Sequence, residues 1–76
     1  MLFIKTNYLS MNLSKRIKKT RIKNGLTQLD LSKKSGLTLR TIQRIENGIY
    51  VPSTVLALKI AKTLKCKVED LFELPD

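Results

Sequence analysis

The chain has 76 residues, with 15 Lys and Arg against 6 Asp and Glu (formal net charge +9), 42% hydrophobic residues and no histidine. A chain of this length builds one small domain. An enzyme is not expected, because the usual proton-transfer residue is absent and Cys66 is the only thiol. One cysteine without histidine makes neither an intramolecular disulfide nor an ordinary zinc site, so no metal or cofactor is expected and the predicted compartment is the reducing cytoplasm.

Residues 1–11 are predicted to form an N-terminal extension to a single domain over residues 12–74. Within the extension, the segment 2–6 (LFIKT) has strand-like composition, and segment 72–74 is its candidate partner in a short two-stranded ribbon. The alternative is a frayed terminus. Because Lys5 interrupts the apolar start, no stretch reaches the length of a signal peptide or a membrane span, and no membrane association is expected.

Apolar residues recur at spacings of three and four from Leu13 to Phe72, which predicts an all-α fold of five helices. Serine or threonine N-caps and glycine stops delimit most of them. The predicted helices cover roughly residues 12–23, 27–35, 38–47, 53–64 and 68–72. Their stripes predict a shared core of Leu13, Ile17, Ile42, Ile45, Leu56, Ala57, Ile60, Ala61, Leu64, Val68, Leu71 and Phe72.

The positive charge is concentrated in the first part of the chain. Residues 1–44 hold eleven Lys or Arg and one acid, Asp30, for a net charge of +10, whereas residues 45–76 hold four lysines and five acids, for a net charge of −1. So large an asymmetry indicates a polyanionic partner for the N-terminal helices. The alternative is that the lysines serve only to keep a small domain soluble.

The third predicted helix has two chemically different faces on a helical wheel. Ile42 and Ile45 fall on the core side, and the opposite side carries Arg40, Gln43, Arg44 and Asn47. Arginine pairs bidentately with guanine and glutamine with adenine, and a DNA major groove admits a helix of this kind. Leu39, near the start of the helix, is placed to contact a thymine methyl. The pattern favours readout of base edges, although a polar face by itself is also typical of a solvated helix.

Two further positions bear on the same site. The second helix begins at Gln28, and a helix N-terminus attracts phosphate through its free N–H groups and dipole. Glu46 lies beside the core face of the third helix, where a carboxylate needs a partner. Arg21 is the candidate, and a partly buried pair would fix the angle of that helix. A solvated Glu46 without a partner is the alternative.

Several motifs occur together, in order and at a characteristic spacing. They are the segments 21–28 (RIKNGLTQ), 45–48 (IENG), 52–53 (PS), 58–61 (LKIA) and 68–72 (VEDLF), with Leu31, Gly36 and Ile42 between them. In this respect the stretch from Leu13 to Phe72 resembles the Cro/repressor-type helix-turn-helix transcriptional regulators, the lambda-repressor-like or Xre family.

The resemblance implies a compact five-helix domain with the third helix in the major groove and the second across the backbone, in a dimer on a pseudo-palindromic operator. It implies Arg21 and Glu46 as a structural ion pair. The implied base readers are Leu39, Arg40 and Arg44 with Thr38 and Gln43 nearby, and the implied phosphate contacts are Gln28, Asn47 and Thr41. Ser32 stands where the family typically has alanine, so its hydroxyl is expected to find a backbone carbonyl.

Two functions are carried forward. The first is a double-stranded DNA-binding regulator, most simply a repressor that occupies promoter DNA as a homodimer. The second is a protein-interaction module such as an antitoxin, which neutralises a protein partner and binds DNA secondarily. Candidates for its apolar contact surface, or for a homodimer interface, are Leu2, Phe3, Ile4, Tyr50, Val55 and Leu58. Membrane-surface and single-stranded RNA binding are disfavoured, because the basic residues are spread over three helices and no stacking platform is evident.

Overall fold

The computed structural model describes residues 2–71, with side chains from residue 13 onward. It contains five helices, α1 (Leu2–Lys23), α2 (Gln28–Ser35), α3 (Leu39–Glu46), α4 (Thr54–Thr63) and α5 (Val68–Leu71). No strand occurs in residues 2–71, so the predicted all-α, five-helix fold is confirmed. Over the same residues, no helix combines the length and apolar character needed to cross a membrane.

The three hydroxyl N-caps lie where the sequence predicts them. Thr27 caps α2 in a reciprocal capping box with Asp30. Thr38 caps α3 by accepting from the backbone N–H of Thr41, and Ser53 caps α4 in the same way. Each cap satisfies a backbone donor that the helix itself leaves free, which fixes where the helix begins.

The predicted strand over residues 2–6 is wrong, because α1 starts at Leu2 rather than near residue 12. No glycine or proline occurs between residues 2 and 23. A helix already anchored by Leu13 and Ile17 gains one hydrogen bond for each residue added, whereas an isolated strand gains none without a partner. The proposed partner segment 72–74, and the predicted core residue Phe72, lie outside the described residues.

The core is built from one side of each helix. Its fully buried side chains are Leu13, Ile17, Leu31, Ile42, Ile45, Ile60, Leu64 and Leu71. Ser32 is also buried, and its hydroxyl donates to the carbonyl oxygen of Leu29 at 2.8 Å, as the sequence predicts. Hydrogen bonding within its own helix lets this polar side chain occupy an apolar position.

A tight turn joins α2 to α3. Gly36 closes α2 in the left-handed conformation, with φ of +78°, and its N–H donates to the carbonyl oxygen of Ser32 at 3.0 Å. Leu37 then packs against the core, and Thr38 opens α3. The turn therefore sets the angle at which α3 leaves α2.

Candidate nucleic-acid interface

Helix α3 buries one face and exposes the other. Ile42 and Ile45 are almost completely buried, whereas Arg40, Gln43 and Arg44 are exposed. The three exposed residues follow each other at helical spacing and so form one stripe. They present guanidinium and amide groups outward from a helix that is held firmly by its apolar side.

The end of α3 extends this stripe by one residue. Asn47 is the C-cap and is exposed, and its N–H donates to the carbonyl oxygen of Gln43 at 2.9 Å. Gly48 follows with φ of +73°, and the N–H of Ile49 returns to the carbonyl oxygen of Arg44 at 2.9 Å. This is a Schellman-type ending. It ends α3 directly after the exposed stripe.

The start of α3 carries two hydroxyls. Thr38 is exposed and its Oγ1 accepts from the Thr41 N–H at 3.1 Å, and the hydroxyl oxygens of Thr38 and Thr41 lie 2.9 Å apart. Thr41 and Leu39 are half-buried. Thr38 is therefore partly committed to capping, and Leu39 offers part of an apolar surface at this end of the stripe.

The side chains of Arg21 and Glu46 lie in direct contact. Arg21 Nε donates to Glu46 Oε2 at 2.7 Å and Arg21 Nη2 donates to Oε1 at 3.0 Å, a bidentate arrangement. Arg21 Nη1 also donates to the carbonyl oxygen of Leu26 at 2.8 Å. The Arg21 side chain is 10% exposed and that of Glu46 is 2% exposed. The pair thus fixes the last turn of α3 against the end of α1.

A third side chain, Gln28 at the start of α2, joins this pair. Its Nε2 donates to Glu46 Oε1 at 3.1 Å. The contact orients the Gln28 amide and connects the N-terminus of α2 to the end of α3. Sequence reasoning did not identify it, because an uncharged amide side chain does not require a buried partner in the way that the Glu46 carboxylate does.

The N-terminus of α2 is occupied in part by its own carboxylate. The N–H of Thr27 donates to Asp30 Oδ2 at 2.9 Å, and the N–H of Asp30 donates to Thr27 Oγ1 at 3.0 Å. The hydrogen bond that the Thr27 backbone donates to the carboxylate, and then that of the Thr27 hydroxyl, lower the pKa of Asp30 below its ordinary value. Two backbone donors at this end of α2, the N–H groups of Thr27 and Asp30, are therefore already satisfied within the protein.

A small open cleft of about 200 Å³ lies beside the stripe, lined by Thr41, Arg44, Tyr50 and Leu56. Tyr50 reaches it because the chain reverses after α3, with the N–H of Tyr50 directed to the carbonyl oxygen of Arg44 at 3.3 Å. The sequence marks Tyr50 only as surplus apolar surface. Its position beside Arg44 adds a phenol to the edge of the predicted interface.

Two short helices joined by a glycine turn, the second exposing a stripe of arginine and amide side chains, define a helix-turn-helix module of the kind that enters a DNA major groove. Residues 17–71 match the family model described as helix-turn-helix, HTH_3. The chain belongs to this helix-turn-helix family, which confirms the resemblance seen in the sequence. The family is a class of DNA-binding transcriptional regulators and not a class of enzymes.

Similar proteins cover most of the chain. An HTH-type transcriptional regulator of Archaeoglobus fulgidus is 46% identical over 61 residues, which are 80% of this chain and 87% of the relative. Another from Methanocaldococcus jannaschii is 47% identical over 60 residues, 79% and 91% of the two chains. The crystal structure of the restriction-modification controller protein C.AhdI from Aeromonas hydrophila is similar with a TM-score of 0.80 and 30% identity, covering 83% of this chain and 96% of that one.

Proposed function

We propose that this protein is a cytoplasmic repressor that binds a pseudo-palindromic double-stranded DNA operator as a homodimer, with α3 in the major groove. The observation that carries the proposal is the division of α3, which buries Ile42 and Ile45 while exposing Arg40, Gln43 and Arg44. A helix fixed on one side and lined on the other with side chains that can form two hydrogen bonds to one base fits the pattern of base edges in the major groove.

The proposal assigns the base contacts to the exposed side of α3 and to its N-cap. Arg40 and Arg44 read guanine, Gln43 reads adenine, and the half-buried Leu39 contacts a thymine methyl near Thr38. These five positions follow the exposed side of α3 from its N-cap to its last turn.

The phosphate contacts are assigned to the ends of the two helices. Asn47 ends the exposed stripe, Thr41 lies in the cleft beside Arg44, and Gln28 begins α2. Glu46 supports the assignment of Gln28, because it accepts one amide hydrogen and so fixes the direction in which the rest of the amide faces. Contacts of this kind set the register of the protein on DNA without reading sequence.

Dimerisation is supported by apolar residues that the core leaves uncovered. On α4, Val55 is 60% exposed and Leu58 is 52% exposed. Large apolar side chains at this level of exposure are typical of an interface when they lie together. A second copy placed there would double the DNA contacts and provide the two-fold symmetry that a pseudo-palindromic operator requires.

The proposal is tested by selecting bound duplexes from a randomised DNA library at two salt concentrations. We expect a two-fold symmetric motif that survives the higher salt concentration, with half-sites about 34–36 Å apart. Binding that disappears with salt and leaves no motif would contradict the proposal and would direct attention to a protein partner.

The base-reading role is tested on the selected duplex. Arg44→Ala is expected to lose about 1–3 kcal/mol on that duplex and much less on a random one. Lys67→Ala, an exposed cation next to α5, is the matched control and is expected to change both affinities little. Equal losses for Arg44→Ala on the selected and random duplexes would show that Arg44 does not read bases.

A further inference from the structure

A second basic surface lies between the C-terminal ends of α2 and α4. It is an open groove of about 420 Å³, lined by Lys34, Ser35, Lys59, Lys62, Thr63 and Lys65. We call it the lysine groove. None of these residues belongs to the predicted DNA stripe or to its phosphate contacts.

The two hydroxyls of the lysine groove are committed to the backbone. Ser35 Oγ donates to the carbonyl oxygen of Ser32 at 3.4 Å and accepts from the Leu37 N–H at 3.3 Å. Thr63 Oγ1 donates to the carbonyl oxygen of Lys59 at 2.9 Å. A ligand would therefore meet mainly ammonium groups, which attract charge but select little else.

No side chain of residues 13–71 neutralises the positive charge of the groove by an ion pair. No carboxylate among these residues lines the groove. Asp30 interacts with Lys34 only through the longer-range field that helps to lower its own pKa. Lys34 and Lys62 lie in the last turns of their helices, where they also interact favourably with the helix dipole. Lys59, in the middle of α4, and Lys65, beyond its end, are outside those last turns.

Lys65 adopts a conformation that disfavours lysine. Its φ is +57°, and Gly25, Gly36 and Gly48 are the other positive-φ residues in the described part of the chain. It closes α4 in a Schellman motif, with the N–H of Cys66 donating to the carbonyl oxygen of Ala61 at 3.0 Å. Glycine would close this helix without the clash that a Cβ brings. Lys65 thus places a cation on the groove at a cost in backbone strain, and strain of this kind is concentrated at functional positions.

We propose that the lysine groove binds the phosphate backbone of a second DNA duplex while α3 holds the operator, which rests on the proposed function. A small phosphorylated ligand fits less well, because the groove is open and offers neither a free hydroxyl nor an aromatic side chain to recognise a base or sugar. A repeating backbone of phosphates needs only the spaced positive charges that the groove supplies.

The test is the capture of a labelled random duplex by protein already bound to an immobilised operator duplex. The groove variant Lys34→Gln/Lys59→Gln/Lys62→Gln is compared with Lys15→Gln/Lys18→Gln/Lys19→Gln, which removes three exposed cations from α1. We expect the groove variant to lose capture while retaining the operator, with the log–log salt slope of capture falling by about 2.7, or 0.9 for each lost phosphate contact. The control is expected to retain capture.

A single substitution separates binding from folding. Lys65→Gly relieves the strain of a left-handed lysine and removes the cation, so we expect a higher Tm together with weaker capture of the second duplex. Unchanged capture in Lys65→Gly, or equal losses in the groove variant and the α1 control, would overturn the proposal. A groove variant that loses operator and second duplex in parallel would also overturn it, since the groove would then contact the first duplex.

A second measurement distinguishes failure of the lysine-groove proposal from failure of the proposed function. If the wild-type protein selects no operator, binding is measured on the random duplex alone at several salt concentrations. A reduced salt slope in the groove variant only would retain the lysine groove as a DNA-backbone site, and equal slopes in all variants would reject it.

Discussion

Removal of the Glu46 carboxylate is the perturbation whose cost the structure defines most closely. This group accepts from Arg21 Nε at 2.7 Å, from Arg21 Nη2 at 3.0 Å and from Gln28 Nε2 at 3.1 Å, and its side chain is only 2% exposed. In Glu46→Ala the Arg21 guanidinium still donates to the carbonyl oxygen of Leu26 but has lost the carboxylate that neutralises its charge. Breaking a buried pair in this way costs about 3–5 kcal/mol.

Urea unfolding followed by far-UV circular dichroism measures this loss. A domain of this size has a free energy of unfolding of about 4–11 kcal/mol and an m-value near 1 kcal/mol/M, so the midpoint should fall by about 3 M or more. Glu69→Ala, at an exposed glutamate, is the matched control and should cost about 0.5 kcal/mol or less. Arg21→Met/Glu46→Leu should recover most of the loss, because it removes both charges together. Equal costs for Glu46→Ala and Glu69→Ala would refute the reasoning.

Three further predictions concern other parts of the fold. Hydrogen bonds from Thr27 lower the pKa of Asp30, so the Asp30 carboxylate stabilises the fold above its ordinary pKa of 3.8, and this stabilisation is lost as the pH falls through the lowered pKa of the folded state. The Tm values of wild type and Asp30→Asn should therefore converge in acid. A difference in Tm that does not change with pH would contradict this. Gly36→Ala should lower the free energy of unfolding by about 1–2 kcal/mol, because its φ of +78° is strained for alanine even though an added Cβ would meet no atom within 4 Å. An unchanged Tm would contradict this strain. Burial, and then the charge of Asp70, raises the pKa of the Cys66 thiol and so lowers the fraction of reactive thiolate. Iodoacetamide at mildly alkaline pH should therefore alkylate the native chain more slowly than the urea-unfolded chain. Equal rates would contradict this.

Local signals in the sequence predicted most of the fold. Thr27, Thr38 and Ser53 each begin a helix, since a hydroxyl N-cap acts on donors within three residues of itself. Ile42 and Ile45 are buried because their spacing puts them on one side of a helix. Structural features that depend only on a few neighbouring residues can therefore be predicted from the sequence.

The Arg21–Glu46 pair was predicted although its residues are 25 positions apart, because a carboxylate beside the core face needs a cationic partner. Other features that depend on the length of a helix or on contacts between helices were not predicted. The start of α1 at Leu2 lacks a hydroxyl cap, and the LFIKT segment, strand-like in composition, is too short for its periodicity to distinguish a strand from a helix. The Gln28–Glu46 hydrogen bond joins two helices whose relative angle is a tertiary property. The left-handed Lys65 has one usable signal, namely that the α4 stripe ends without a glycine to close it.

Comparison of the DNA motifs selected by the wild-type protein and by Arg40→Ala tests the central claim, that the exposed side of α3 reads base edges. The expected result is a two-fold symmetric wild-type motif whose preference relaxes at one base pair in each half-site of the variant, with the remaining positions and the half-site spacing retained. Identical motifs for the two proteins, or no motif for the wild type, would contradict the claim.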